Sequence, residues 1–234
     1  MSMFKKKDVV KGVKEDELIN ELCERLLQIG INATVVESGS PEDIGGLVTF
    51  ALGSVKIEGR NLDLIQVGKI SVPASQREVG TYTRRVQPGE PGYTREMGQG
   101  SIRYDYHYVV RVKVEGLESK LEAKFKPIKK RKGLFGKEVI GFQWKGGELA
   151  QRLNSDSDLK NMLLKEGLHR LLIKPEKEHQ CVRITPPTGL ETFSFDFDSQ
   201  HPAILGRKAF PTREAFEIYD KIAQHIRSIA SARP

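Results

Sequence analysis

Long apolar runs are missing from this 234-residue chain, and cysteine is nearly so, with only Cys23 and Cys181. No stretch approaches the roughly 20 apolar residues a helix needs to cross a bilayer. Two cysteines make no disulfide framework; Cys23 falls among leucines at helical spacing and reads as a small core residue. The first residues, Met1 to Asp8, hold lysines with no apolar segment behind them, so a secretory signal is not expected. The compartment these features suggest is the cytoplasm. The signatures of catalysis are missing too. There is no G-x-S-x-G, no glycine-rich strand-to-helix loop with a phosphate-binding lysine, and no cysteine in an electropositive setting. No cofactor is implied, and no internal repeat is visible.

What is there begins with the stretch from Ile102 to Glu115. Ile102, Tyr104, Tyr106, Tyr108, Val110, Val112 and Val114 alternate with a set that is polar except for Val109. Side chains of a strand point to opposite faces with period two. The expectation is one long antiparallel strand, covered on its even face and wet on its odd face. The tyrosines are expected to pack beneath a helix rather than line a ligand pocket.

The rest of the chain is read around that strand. Residues 1–14 form a basic arm. Residues 15–72 read as a small α+β domain, with a helix from Asp16 to Ile29 stopped at Gly30, then three or four strands over 31–37, 47–52, 55–58 and 62–70. Residues 73–100 hold prolines and glycines with few aliphatics, the composition of a linker or long functional loop. Residues 101–234 read as a larger α+β domain. It has strands over 102–115, 120–127 and 138–145 in a meander and a hairpin over 170–185. A helix pair spans 148–166, with Ser155 as N-cap of the second, and a further strand covers 191–198. The last helix begins at Thr212 and bears the apolar stripe Phe216, Tyr219, Ile222, Ala223, Ile226 and Ile229. That stripe needs a platform, and the aromatic face of the sheet supplies one. The fold class expected is therefore α+β.

Net charge is +7 and the sequence pI is near 9.3. The excess is local. Lys126, Lys129, Lys130, Arg131, Lys132 and Lys137 fall within twelve residues that contain no acid, with Leu134 and Phe135 at the middle of a loop over 126–137. Such a loop suits an anionic partner, either nucleic acid phosphates or an anionic membrane surface. It also suits a plain solvated turn. Arg84 and Arg85, near Tyr82 and Tyr93, extend the same suggestion into residues 73–100. The binding set is thus Lys129, Lys130, Arg131, Lys132, Leu134, Phe135, Lys137, Arg84 and Arg85.

Other constellations are thinner. Asp196 and Asp198 with His201 offer oxygen donors for a divalent ion but lack further ligands. His179 and Cys181 lack the remaining two ligands of a zinc site. His107, two residues from Asp105, has the makings of a general base, which leaves an enzyme with a pocket between the two domains as the alternative to a binding or scaffold protein. A third expectation is self-assembly through an exposed edge of the long strand.

Overall fold

The computed structural model describes residues 17–38, 50–72, 101–132, 136–166, 171–186, 192–196, 203–204 and 210–232. Among them the architecture is α+β. Ten strands are β1 (Ala33–Ser38), β2 (Phe50–Ile57), β3 (Leu64–Val72), β4 (Ser101–Arg111), β5 (Ala123–Lys132), β6 (Gly136–Gly146), β7 (Leu172–Glu176), β8 (Cys181–Thr185), β9 (Thr192–Asp196) and β10 (Ala203–Ile204). Five helices are α1 (Leu18–Gln28), α2 (Glu118–Leu121), α3 (Glu148–Ser155), α4 (Ser157–Glu166) and α5 (Arg213–Ser231).

The strands form one sheet in the order β1-β2-β3-β4-β8-β7-β5-β6, with every pairing antiparallel. β4 lies inside it. One edge pairs with β3 from Leu64↔Val109 to Val72↔Ser101. The other pairs with β9 over Ile102–Asp105 and with β8 over Tyr108–Arg111. The strand over 101–111 therefore has both edges occupied, which removes the ground for self-assembly through it. Residues 15–72 and 101–234 contribute to the same sheet and the same core. One buried cluster runs from Leu18, Leu22 and Leu26 of α1 through Tyr106 and Tyr108 to Phe216 and Ile229 of α5.

Pairing order departs from sequence order. The strands over 101–111, 123–132 and 136–146 do not form a continuous meander, because the β7–β8 hairpin lies between β4 and β5. The reason lies in the connection: Lys120 and Leu121, expected to begin a strand, belong to the helical turn α2. It carries the chain away from β4 before β5 begins.

The two principal helices form where the apolar spacing puts them. α5 is capped by Thr212, whose hydroxyl accepts from the Ala215 amide at 3.2 Å, and buries Phe216, Tyr219, Ile222, Ala223, Ile226 and Ile229. Tyr108 meets the Tyr219 ring at 4.2 Å and the edge of Phe216 at 6.5 Å. After α1 the chain turns at Gly30, whose φ of +80° suits glycine. α4 is capped by Asp156 rather than Ser155. Ser155 still belongs to α3 and donates to the Gln151 carbonyl, whereas Asp156 Oδ1 accepts from the Leu159 amide at 2.9 Å.

Asp156 also ties α4 to α5 through His225 at 2.9 Å and Lys221 at 3.1 Å. Burial alone would raise its pKa. The Leu159 amide, His225 and Lys221 outweigh burial and hold it at about 2, against an ordinary 3.8. A depressed carboxyl stabilises the fold fully above its unfolded pKa and loses that contribution as pH falls towards the folded one. Thermal melts between pH 3.8 and 2 are expected to show the wild type losing about 1–2 kcal/mol that Asp156→Asn does not lose. Parallel curves for the two proteins would contradict this linkage.

Candidate nucleic-acid interface

The cationic segment read as a loop is mostly strand. β5 and β6 pair from Ala123↔Gly146 to Lys132↔Gly136, so the ladder occupies all of 126–137 except residues 133–135. Tertiary pairing extends each strand beyond what side-chain alternation suggests, because lysines on a ribbon face need no apolar partner to keep backbone bonds.

Among the described residues the strand pairings anchor this hairpin at its base. β5 pairs with β7 through Ala123↔Ile173 and Lys124↔Leu172. From Phe125 onward it pairs with β6 alone among the described strands. Three rings hold the base down: Phe125 lies 4.8 Å from both Phe142 and Trp144, with Phe142 and Trp144 buried in the core. Asn154 of α3 clamps the Trp144 backbone, accepting from its amide at 2.9 Å and donating to its carbonyl at 2.8 Å. Gly147 lets the ribbon's end press against α2. A Cβ there would collide with the Ser119 carbonyl, and its amide donates to the Glu122 carbonyl at 2.8 Å. The base is therefore rigid, and the arm beyond it is a two-stranded ribbon.

Lysines recur along the ribbon's exposed side, with Glu138 at the register position opposite Lys130 and Gln143 opposite Lys126. Lys124, Lys126, Lys130 and Lys145 are all exposed. At ~3.4 Å per residue, Lys124 and Lys130 are about 20 Å apart. Lys124 stands directly opposite Lys145, and Arg131 directly opposite Lys137. Like charges facing across a ladder repel. Glu122 relieves one of them, 2.7 Å from the Lys124 ammonium, raising its pKa by hydrogen bond and charge. Pro127 in β5 has no amide to offer a further strand, so this edge is blunted against sheet extension.

The expected binding residues divide accordingly. Lys130 is exposed on the ribbon; Lys129, Arg131, Lys132 and Lys137 hold register positions on it. Leu134, Phe135, Arg84 and Arg85 lie outside the described residues. Lys124 and Lys145, which the sequence did not single out, and Lys126, already counted in the basic segment, are exposed on the same ribbon. Their signal was the outward alternation of lysine on both strands, legible only once the register is known.

Comparison with known proteins adds no assignment. No family model, no curated protein and no solved structure matches this chain.

The remaining candidates fall elsewhere. Asp105 and His107, expected on a wet face, are buried at 7% and 2% exposure. His107 Nδ1 lies 3.0 Å from the Thr185 hydroxyl. Gln66, opposite His107, accepts from Arg183 at 2.7 Å, and Arg183 pairs with Glu176 at 2.9 Å. Around Asp105 and His107 the odd face of β4 is thus a buried polar layer, which polar alternation alone reads as exposed, whereas Arg111 at the strand's end is exposed. Cys181 borders this layer, 3.9 Å from Glu176. Burial, the largest influence, pushes its thiol up to about 11, which leaves it a poor nucleophile. The open depression bounded by Arg111, Val112, Lys113, His179 and Gln180 contains neither His107 nor Asp105. Among the described residues no three His, Cys, Asp or Glu side chains gather as a metal site would require. Asp198 and His201 lie outside the described residues. No helix among them is long and apolar enough to cross a membrane.

Proposed function

We propose that this protein binds nucleic acid through the β5–β6 ribbon. The observation that carries the reading is the line of exposed lysines, Lys124, Lys126, Lys130 and Lys145, on a ribbon that the described strand pairings hold at its base. Cations spaced along one side repel one another, and a polyanion relieves that repulsion. The spread of the cations favours nucleic acid over a lipid surface. Lys124, Lys126, Lys130 and Lys145 follow the flank of the ribbon from its base, and Lys129, Arg131, Lys132 and Lys137 carry the charge on to its end, a length that suits a rod of phosphates lying along it. A headgroup plane would meet the end.

The test is binding of the full chain to a labelled 30-bp DNA duplex, by fluorescence anisotropy, from about 50 to 200 mM salt. Replacing Lys124, Lys126, Lys130 and Lys145 together by Gln is expected to lower affinity at least tenfold. The slope of log K against log salt should become shallower by roughly 3, since each neutralised phosphate contributes ~0.9. The melting temperature should stay level or rise, because a facing lysine pair is removed. Equal affinity and slope in the two proteins would refute the proposal, as would tight binding to anionic vesicles with none to the duplex.

A further inference from the structure

Two large aliphatic side chains stand exposed midway along this arm. Ile128 is 45% exposed and Ile140 is 53% exposed. They sit at one level of the ladder, because Gly141 faces Ile128 while Val139 faces Lys129, leaving Ile140 as the extra residue of a β-bulge. A bulge bends its strand and re-aims a side chain. Gly141 makes room beside it: a Cβ there would meet Ile128 Cδ1 at 3.8 Å, so Ile128 lies over Gly141, the neighbour of Ile140 in β6. The exposed Lys126 and Lys130 lie two residues away on either side of Ile128, each at ~7 Å along the strand.

We propose that Ile128 and Ile140 are a wedge that enters a base step of double-stranded DNA and bends it. The proposal rests on the nucleic-acid reading above and names its ligand. Cations that bracket an apolar pair hold phosphates on both sides of one step, which presents the isoleucines to the groove between them. Aliphatic wedges unstack and kink duplexes in this manner. Single strands are gripped instead by exposed rings on which bases stack. Among the described residues of this ribbon the rings are otherwise committed, Phe142 and Trp144 being buried and Phe125 packed against both. Double-stranded RNA offers a wide, shallow minor groove lined by 2′-hydroxyls, a polar surface that suits an aliphatic wedge poorly. An exposed aliphatic pair between lysines therefore fits B-form DNA.

The experiment uses the full chain and a 30-bp DNA duplex carrying a fluorescence-transfer pair at its ends. Saturating protein is expected to raise transfer efficiency, consistent with a bend in the range of roughly 20–90°. Ile128→Thr with Ile140→Thr keeps β-branched residues on the strands. It is expected to abolish that rise while changing affinity less than about fivefold and leaving the salt slope intact. A second readout needs no variant: a duplex with a central T-A step, which unstacks easily, should bind several-fold tighter than a uniform A-tract. Steep salt-dependent binding with no change in transfer, or a double variant that bends DNA as well as the wild type, overturns the wedge and leaves the binding proposal standing. Equal affinity for the two duplexes also counts against the wedge. Absence of duplex binding, or binding to anionic vesicles alone, overturns both.

Discussion

Asp220→Ala is expected to destabilise the fold by about 3 kcal/mol. Asp220 is a buried carboxylate in the middle of α5. Its Oδ1 accepts from the Asn61 amide at 2.7 Å and the Leu62 amide at 3.1 Å, and its Oδ2 from the Asn61 side-chain amide at 2.9 Å. Leu62 is itself buried, so truncation leaves donors that water reaches poorly, and each such group costs about 1–3 kcal/mol. The same turn is held by Arg227, which donates to the Asn61 carbonyl and pairs with Asp63, both at 2.7 Å. Arg60 pairs with Glu217 at 3.2 Å. Those contacts survive the substitution and keep the loss finite. For a chain of this size the melting temperature should fall by roughly 6–12 °C. Asp220→Asn keeps one oxygen for the two backbone amides, and rotation of the Asn61 side chain restores the third bond, so about half the loss is expected. Chemical denaturation and calorimetry would decide. A change in Asp220→Ala within about 0.5 kcal/mol of zero would mean that the α5 connection to the β2–β3 turn contributes nothing.

That connection shows what a linear reading recovers and what it does not. The periodicity of α5, its threonine cap and the glycine after α1 are local signals, and the structure carries each of them. The apolar stripe of α5 names the buried side of the helix, but not the polar residue inside the stripe. Asp220 reads as solvent-facing until the partner turn, 159 residues away in sequence, is known. His107 and Asp105 follow the same logic on β4. Alternation separates two faces; only the neighbouring strands say that the second face is a buried polar layer.

The ribbon was half legible for a related reason. Composition located its charge, since six cations without an acid stand out in any window. It did not locate Lys145, which becomes a neighbour of Lys124 only through the β5–β6 register, nor the bulge that exposes Ile140. Strand pairing is long-range information even in a hairpin. A one-residue slip in either strand would exchange the lysine face for the face of Phe125, Phe142 and Trp144, so the aromatic base fixes where the cations point.

The buried ion pair at the far side of the sheet carries the other large effect. Glu176→Ala is expected to cost about 3–5 kcal/mol, because it strands a guanidinium in a dry layer. Arg183 and Glu176 each expose only 5% of their side chains and meet at 2.9 Å. Burial tends to raise the Glu176 pKa, but hydrogen bonds and charge from Arg183, with Lys174 at 3.5 Å, leave it below its ordinary 4.5. The pair's contribution is accordingly complete above pH 4.5 and fades as pH falls through the lowered folded value. The stability gap between wild type and Glu176→Ala should therefore be widest above pH 4.5 and narrow in acid. Adding Arg183→Leu to Glu176→Ala should recover much of the loss, since the penalty arises from the unpaired charge more than from the missing attraction. If the double variant proves as unstable as the single one, the guanidinium matters chiefly for packing β8 against Gln66 of β3 rather than as a charge needing its partner. Folded Glu176→Ala protein should bind a DNA duplex as the wild type does. β7 meets the ribbon only through Leu172 and Ile173, at the opposite end of that short strand from Glu176.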